Sequence, residues 1–389
     1  MPAISKNCRK KKPQRNRNNK NKKTILLNMI VKNEEHVITN LLKQVSPMID
    51  GYLIVDTGST DRTVEVVEKF FRSVNIPGKV VSHNFLTCKC HNKTTSYPYD
   101  FFHFGINRTY ALQQCYGKSD YIWVMDADDT IKGDFNFKIP ETDSADCYHL
   151  ILGTPSFTYT RPLIFRNDRS FNFRFEGPIH EYLTCDKNVK KVTVTGDYYI
   201  ESGKTGDRSL QTDKYKRDAI MFEKVMAADP GHKDYSRYLY YCAQSWRDHG
   251  DNQKAIEYFE KRCQRKGWIE EDFCAYYELV GLYTKVGRPF ERIEQLCLDA
   301  YKRNPNRAET LYHLAQHYRK SGNLDMAYKY AEMASKIPYQ EDGLFVVKSI
   351  YMHSIPFEMA ESLFHRHLYE QALPIYLRLK NEIQDIDGV

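Results

Sequence analysis

Residues Tyr121 to Asp129 read YIWVMDADD, and the whole chain is organised around this stretch. Tyr121 to Met125 is an unbroken aromatic and aliphatic run, which predicts a strand buried on both faces. Three carboxylates, Asp126, Asp128 and Asp129, follow within four positions. In open α/β sheets, ligands collect beyond the carboxyl ends of the strands, where a side chain leaves the core and meets solvent. Carboxylates this close repel one another, and a divalent cation among them relieves the repulsion. An Asp-rich turn closing the strand, continued by Thr130 and Gly133, accounts for the same residues without a metal.

Upstream, Ile25–Val31 (ILLNMIV) predicts a first buried strand, and Val37, Ile38, Leu41, Leu42 and Val45 then recur at helical spacing. Tyr52–Val55 predicts a second strand, closed by Asp56 and the turn TGSTD, with Thr60 or Asp61 as N-cap of the next helix. Val80 and Val81 mark a third strand, giving the opening of a parallel, right-handed α/β sheet. The stretch from Asn84 to Phe104 has no clean period and reads as a functional lid or an insert. A helix over Thr109–Tyr116, entered through Gly105 to Arg108, delivers the chain to YIWVM. Short strands follow (YHLIL, RPLIF, VTVT), with the acidic, aromatic segment FNFRFEGPIHEYL between the last two.

Near Asp207 the texture changes to helix after helix. Gly250, Gly287 and Gly322 lie 37 and 35 residues apart, each between a Tyr-rich helix and a second one such as NQKAIEYFEKR or NLDMAYKYAEMA. A helix, Gly turn, helix period near 34 residues, with Pro305 and Pro338 after second helices, is the tetratricopeptide arithmetic. Three such repeats meet the minimum for stacking.

Composition limits the function classes. A chain of 389 residues, 41% hydrophobic, suits two domains. Ten of its Lys and Arg residues fall in residues 1–24, which hold no acid, leaving 47 basic against 50 acidic residues, a net −3, for the body. The body is thus not a nucleic-acid binder by charge. The tail over 1–23 is expected to be disordered, either a solvated extension or a handle for RNA, acidic lipid or nuclear import. No apolar stretch long enough to cross a bilayer occurs and the N-terminus lacks a signal-peptide core, so a soluble, cytoplasmic protein is expected. The ten cysteines have no repeated spacing; CKCH (Cys88, Cys90, His91) lacks the second pair of a structural zinc site.

Five motifs stand in order: MIVKNEE, LIVDTGSTDRT, FGINRT, MDADD and FEGPIHE. Together they resemble the inverting family-2 glycosyltransferases of the GT-A fold, and ESGKTGDRS followed by helical repeats resembles the subset fused to tetratricopeptide repeats. The resemblance spans about residues 24–340 and implies a GT-A domain over 24–209 and a repeat domain over 210–389. It implies transfer of a hexose or N-acetylhexosamine from a nucleotide-diphosphate sugar, most simply a UDP-sugar, to a hydroxyl on a protein, peptide or glycan. It also implies Mn2+ or Mg2+ neutralising the leaving diphosphate.

Residue by residue, the resemblance makes Asp128 the direct metal ligand and His180 the completion of its shell, with Asp126 on the ribose or sugar. Asp56 and Glu34 or Glu35 would line the nucleobase pocket, though the glutamates also suit a helix N-terminus. Arg108 would pair with phosphate or with the acid cluster, and Arg208, with Ser209, Lys214 and Arg217, would cover the diphosphate or form the polar face of a linker. Glu181 and Glu176 are the candidate bases, with Asp129 beyond them. His180 and Glu181 share a site only if the backbone bends, for which Gly177 and Pro178 provide. The repeats would hold the acceptor, a partner or a second copy. A degenerate catalytic half serving a repeat scaffold is the alternative.

Overall fold

The computed structural model describes residues 22–83, 102–142, 145–155, 157–210, 212–340 and 343–387. The basic tail up to residue 21, the CKCH group and residues 84–101 of the irregular stretch lie outside the described residues.

The N-terminal half is an α/β unit. Strand β1 (Ile25–Val31) lies between β2 (Gly51–Asp56) and β4 (Tyr121–Val124), parallel to both, and β3 (Gly78–Ser82) extends the parallel set at one edge. Beyond β4 the direction reverses: β7 (Phe157–Arg166) is antiparallel to β4 and to β6 (Cys147–Thr154). The sheet ends with β11 (Tyr198–Glu201) beside β6 and β5 (Thr130–Gly133) antiparallel to β11, while the short β10 (Lys191–Thr193) also pairs with β6. A separate hairpin joins β8 (Arg174–Glu176) to β9 (Tyr182–Thr184).

Alternation explains why both faces are covered. Ile25, Leu27 and Met29 of β1 join Trp123 in a core under α1 (Ile38–Val45) and α2 (Thr63–Ser73). Leu26, Ile122 and Val124 belong to the opposite face, with Ala111 and Leu112 of α3 (Phe104–Cys115) and Phe175 of the hairpin. Asn28 is the polar residue on that face, and its buried amide donates to the carbonyls of Leu53 and Ala111 at 2.9 and 3.3 Å.

The C-terminal half is helical and tetratricopeptide-like. Helix α4 (Lys214–Ala228) precedes three antiparallel pairs: α5 and α6 (Tyr235–His249, Asn252–Cys263), α7 and α8 (Ile269–Lys285, Phe290–Arg303), and α9 and α10 (Glu309–Lys320, Leu324–Ser335). A fourth pair, α11 and α12 (Ile355–His365, Tyr369–Asp387), extends the three expected from the sequence. The spacing signal stops at Gly322 because His367, at φ 63°, stands in the turn between these two helices where the earlier pairs have glycine; the pair is entered through a π-helical turn at Ile350–Ser354. Gly250, Gly287 and Gly322 adopt φ of 95, 69 and 84°, the left-handed conformation that ends the first helix of each pair.

Two expectations need correction. Helix α3 begins at Phe104, so Arg108 lies within it; His103 starts it early by accepting the backbone N–H of Ile106 on Nδ1 at 3.1 Å. The cap of α2 is Asp61, but two residues before the first helical position, where it accepts the N–H and Oγ1 of Thr63 at 3.0 and 2.6 Å. Strands β5 and β11 escaped the sequence because neither shows a long apolar run.

Candidate functional site

The loops after β1 and β2 are fastened to each other. Thr57 donates its N–H and hydroxyl to the Val31 carbonyl at 2.9 and 3.0 Å. Asn33, at φ 57°, accepts Thr60 N–H at 2.8 Å, and Thr63 Oγ1 accepts Glu34 N–H at 2.7 Å. Within this lattice the carboxylates of Glu35 and Asp61 are occupied by backbone N–H groups of the other loop. Asp56 is likewise spent on its own turn, accepting Ser59 N–H at 3.0 Å, and it does not line the cavity described next. Glu34 is the exception: its Oε2 is buried with no hydrogen-bond partner.

Glu34 opens onto a cavity of about 1260 Å³ beyond the carboxyl ends of β1 and β4, whose far wall comes from α4 and α5. The acid run forms a tight turn in its floor, with Asp129 N–H donating to the Asp126 carbonyl at 3.2 Å and Asp129 Oδ2 accepting Asp126 N–H at 3.0 Å. The turn and the site are thus the same object. Asp128 accepts the Gly206 N–H at 2.9 Å, and Gly203 lies flat against it. A Cβ at Gly203 would stand 2.2 Å from the Asp128 carbonyl oxygen, so ESGKTGD supplies glycine where backbone must touch the acid turn.

Electrostatics divides these acids. Burial and then the neighbouring Asp128 push Glu34 up to about 7. Burial and then Asp126 push Asp129 up to about 7. Burial acts on Asp126 in the same sense, but the Arg108 guanidinium overrides it and holds that carboxyl below its ordinary range. Arg108 bridges two motifs, donating from Nη2 to Asp126 and from Nε to Glu181, each at 2.5 Å.

The bridge exists because α3 docks on the GPIHE bend. Phe104 and Gly105 donate their N–H groups to the carbonyls of Pro178 and Gly177 at 2.7 and 3.2 Å, and a Cβ at Gly105 would stand 2.5 Å from Gly177 O. His180 takes φ 50°, which supplies the bend the HE pair requires. Its ring stacks on Tyr241 of α5 at 4.3 Å, while Glu181 turns to Arg108. His180 is open to the cavity yet enclosed by protein; burial, then Arg208, Arg237, Lys214 and Arg161, depress its imidazole to about 3.

Glu176 is not on the cavity wall. It is paired with Arg174 at 3.0 Å and with Lys233, and it accepts the Tyr182 hydroxyl at 3.0 Å, so it fastens the hairpin to the loop before α5. Arg208 lines the cavity, ion-paired to Asp218 with its guanidinium 4.6 Å from the Phe104 ring. Sequence reading missed Arg161 of β7 and Arg237 of α5, because neither stands in a motif; only the fold brings them to His180.

Among the described residues, no group of three or more His, Cys, Asp or Glu side chains is arranged to hold a metal ion alone. The pair Glu34 and Asp128, with its orphaned buried oxygen, nevertheless fits a hard divalent cation whose remaining ligands are phosphate oxygens and water. His180 does not fit that shell, since the charges around it are cationic.

No family model matches the chain, and no curated protein matches it. Solved structures that resemble it include a crystal structure of MamA, with 17% identity over 45% of this chain and 92% of that one and a TM-score of 0.36. A tetratricopeptide repeat protein from Parabacteroides merdae has 16% identity over 44% and 61% of the two chains, with a TM-score of 0.34. MamA from Desulfovibrio magneticus has 13% identity over 46% and 97%, with a TM-score of 0.32. No helix among the described residues is long and apolar enough to cross a membrane.

Proposed function

We propose that the protein is a glycosyltransferase that uses a nucleotide-diphosphate sugar, with a UDP-sugar as the first candidate donor, and a hydroxyl acceptor. The observation that carries this reading is the convergence of Glu34, Asp126, Asp128 and Asp129 on one cavity at the carboxyl ends of β1 and β4, with Glu34 and Asp129 both at about 7. Acids raised first by burial and then by their acidic neighbours become favourable as carboxylates where a cation joins them.

Glu34 and Asp128 would hold Mn2+ or Mg2+, which would neutralise charge on a departing diphosphate. Arg108 fixes Asp126 and Glu181 rigidly at the floor of the site. The Glu181 carboxylate is engaged directly by Arg108 Nε, so Glu181 is better read as the residue that positions Arg108. Asp129 takes the role of base, its proton affinity matched to neutral pH, and Glu176 lies outside the cavity.

The test is product analysis with UDP-, GDP- and dTDP-sugars and Mn2+, comparing the wild-type chain with Asp128→Asn and Asp129→Asn. Release of nucleoside diphosphate with sugar transfer, lost in both variants while each stays folded, is the expected result. Release of sugar 1-phosphate, with the nucleoside monophosphate moiety carried to the acceptor, would indicate nucleotidyl transfer instead, and full turnover by Asp128→Asn would overturn the reading.

A second reading, a repeat scaffold that binds a protein partner or a second copy, is favoured by one observation. The last helix pair exposes Phe357, Phe364, Tyr369, Leu373 and Leu377. An exposed apolar face on a stacked helix pair is a surface on which a protein partner or a second copy would sit. The two readings are compatible in one chain.

A further inference from the structure

The cavity has two electrical poles, and the transferase reading uses only the acidic one. The second pole surrounds His180. Arg161 reaches it from β7, Arg208 from the turn before α4, Lys214 from the first turn of α4 and Arg237 from α5, and all four line the cavity. Arg208 pairs with Asp218, Arg237 pairs with Glu271 while donating to the His180 carbonyl at 3.0 Å, and Lys214 lies within electrostatic reach of Asp218.

Arg161 differs. It is half-buried, lies within electrostatic reach of Asp126, Asp129 and His180, and makes no side-chain hydrogen bond or ion pair among the described residues. A guanidinium in a concave, partly dry site with all its donors uncommitted is poised for a planar or tetrahedral oxyanion, which it can grip with two N–H groups. The aromatic wall of His180 on Tyr241, with Arg237 4.7 Å over the same Tyr241 ring, fixes one side of the space such an anion would enter.

We propose that Arg161, with Lys214 and Arg208, forms an anion subsite that binds a phosphoryl group carried by the acceptor, so that the acceptor is a phosphorylated hydroxyl compound. The assignment to the acceptor rests on the transferase reading, in which the donor's own diphosphate is neutralised at Glu34 and Asp128. The anion subsite itself stands on Arg161 alone. Helices α4 and α5 thereby become part of the active site, because without them the phosphoryl group would have only one wall.

The test is titration of the full chain with inorganic phosphate, followed by calorimetry or phosphorus NMR line broadening, with and without saturating UDP and Mn2+. Losing two charge-assisted hydrogen bonds should weaken phosphate about ten- to hundredfold in Arg161→Gln, with Arg161→Lys intermediate because it keeps the charge but not the fork. Since Arg161 has no direct hydrogen-bond or ion-pair partner among the described residues, both variants should stay close to the wild-type unfolding midpoint. Phosphate that still binds to the UDP-loaded wild-type protein, and not to Arg161→Gln, supports an acceptor subsite. Displacement of phosphate by UDP would overturn the acceptor assignment and give this pole to the donor. Equal phosphate binding by wild type and Arg161→Gln, or none by either, would overturn the subsite. Arg161-dependent phosphate binding without any nucleotide binding would leave the subsite standing while removing the transferase reading.

Discussion

Buried charge is handled in opposite ways by the two halves of the molecule. In the helical half each buried charged side chain among the described residues meets an oppositely charged one. Arg307, 1% exposed, donates to Glu270 at 2.6 Å and to Glu309 at 2.7 Å, and Tyr351 adds a hydrogen bond to Glu309 at 2.8 Å. Arg262 meets Asp272 at 2.6 Å, and Arg319 meets Glu358 at 2.7 Å. Around the cavity of the sheet half, Glu34 and Asp129 have no cationic side chain in direct contact among the described residues, and Arg161 has no anionic one among them. Pairing fixes which helix sits beside which. Under the proposed function, charge left without a counterion is where a ligand would complete the balance.

This contrast can be broken by substitution, and the largest effect belongs to the paired half. Arg307→Met leaves Glu270 and Glu309 buried without their cation and should cost about 3–5 kcal/mol in urea unfolding. A loss below about 1 kcal/mol would mean that these pairs are dispensable and the contrast is false. Gly203→Ala comes next: its Cβ would overlap the Asp128 backbone, so about 1–3 kcal/mol of stability should be lost, and metal-dependent nucleotide binding with it. Retained binding would detach the ESGKTGD loop from the site.

A smaller effect concerns the start of α3, which carries Arg108. Burial depresses His103 to about 4, below its ordinary 6.5. Its contribution is therefore complete above pH 6.5 and is lost as pH falls from 6.5 toward 4, because the folded state resists the proton that the unfolded state accepts. His103→Ala should cost about 1 kcal/mol at neutral pH, and His103→Asn, which keeps an acceptor without ionising, should flatten this part of the pH profile. An unchanged acid limb in His103→Asn would assign it to other groups. Smallest of all, Arg161→Gln should move stability by no more than about 0.5 kcal/mol, as expected of a half-buried side chain with no direct ion pair among the described residues.

Much of the framework was legible in the sequence because it rests on local pattern. Strand β1 matches its apolar run residue for residue, and the helix pairs follow the glycine spacing with left-handed φ at each turn. The acid turn was legible too, since YIWVM is wholly buried and DADD turns into the cavity. Distances between motifs were not. That Arg108 would hold Asp126 and Glu181 together depends on two backbone hydrogen bonds between α3 and the GPIHE bend. That Glu176 would be diverted to Lys233 depends on a loop in the helical half. His180 was expected at a metal and lies instead among four cations, two of which, Arg161 and Arg237, the sequence reading had not named.

The most direct test of the account is calorimetry of the full chain with UDP, GDP and dTDP, each with and without Mn2+, on wild type and on Glu34→Gln with Asp128→Asn. One nucleoside diphosphate should bind with Mn2+, and that metal dependence should vanish when Glu34 and Asp128 are neutralised while the variant remains folded. Failure of every nucleotide to bind folded wild-type protein, or metal-dependent binding undiminished in the double variant, would contradict it.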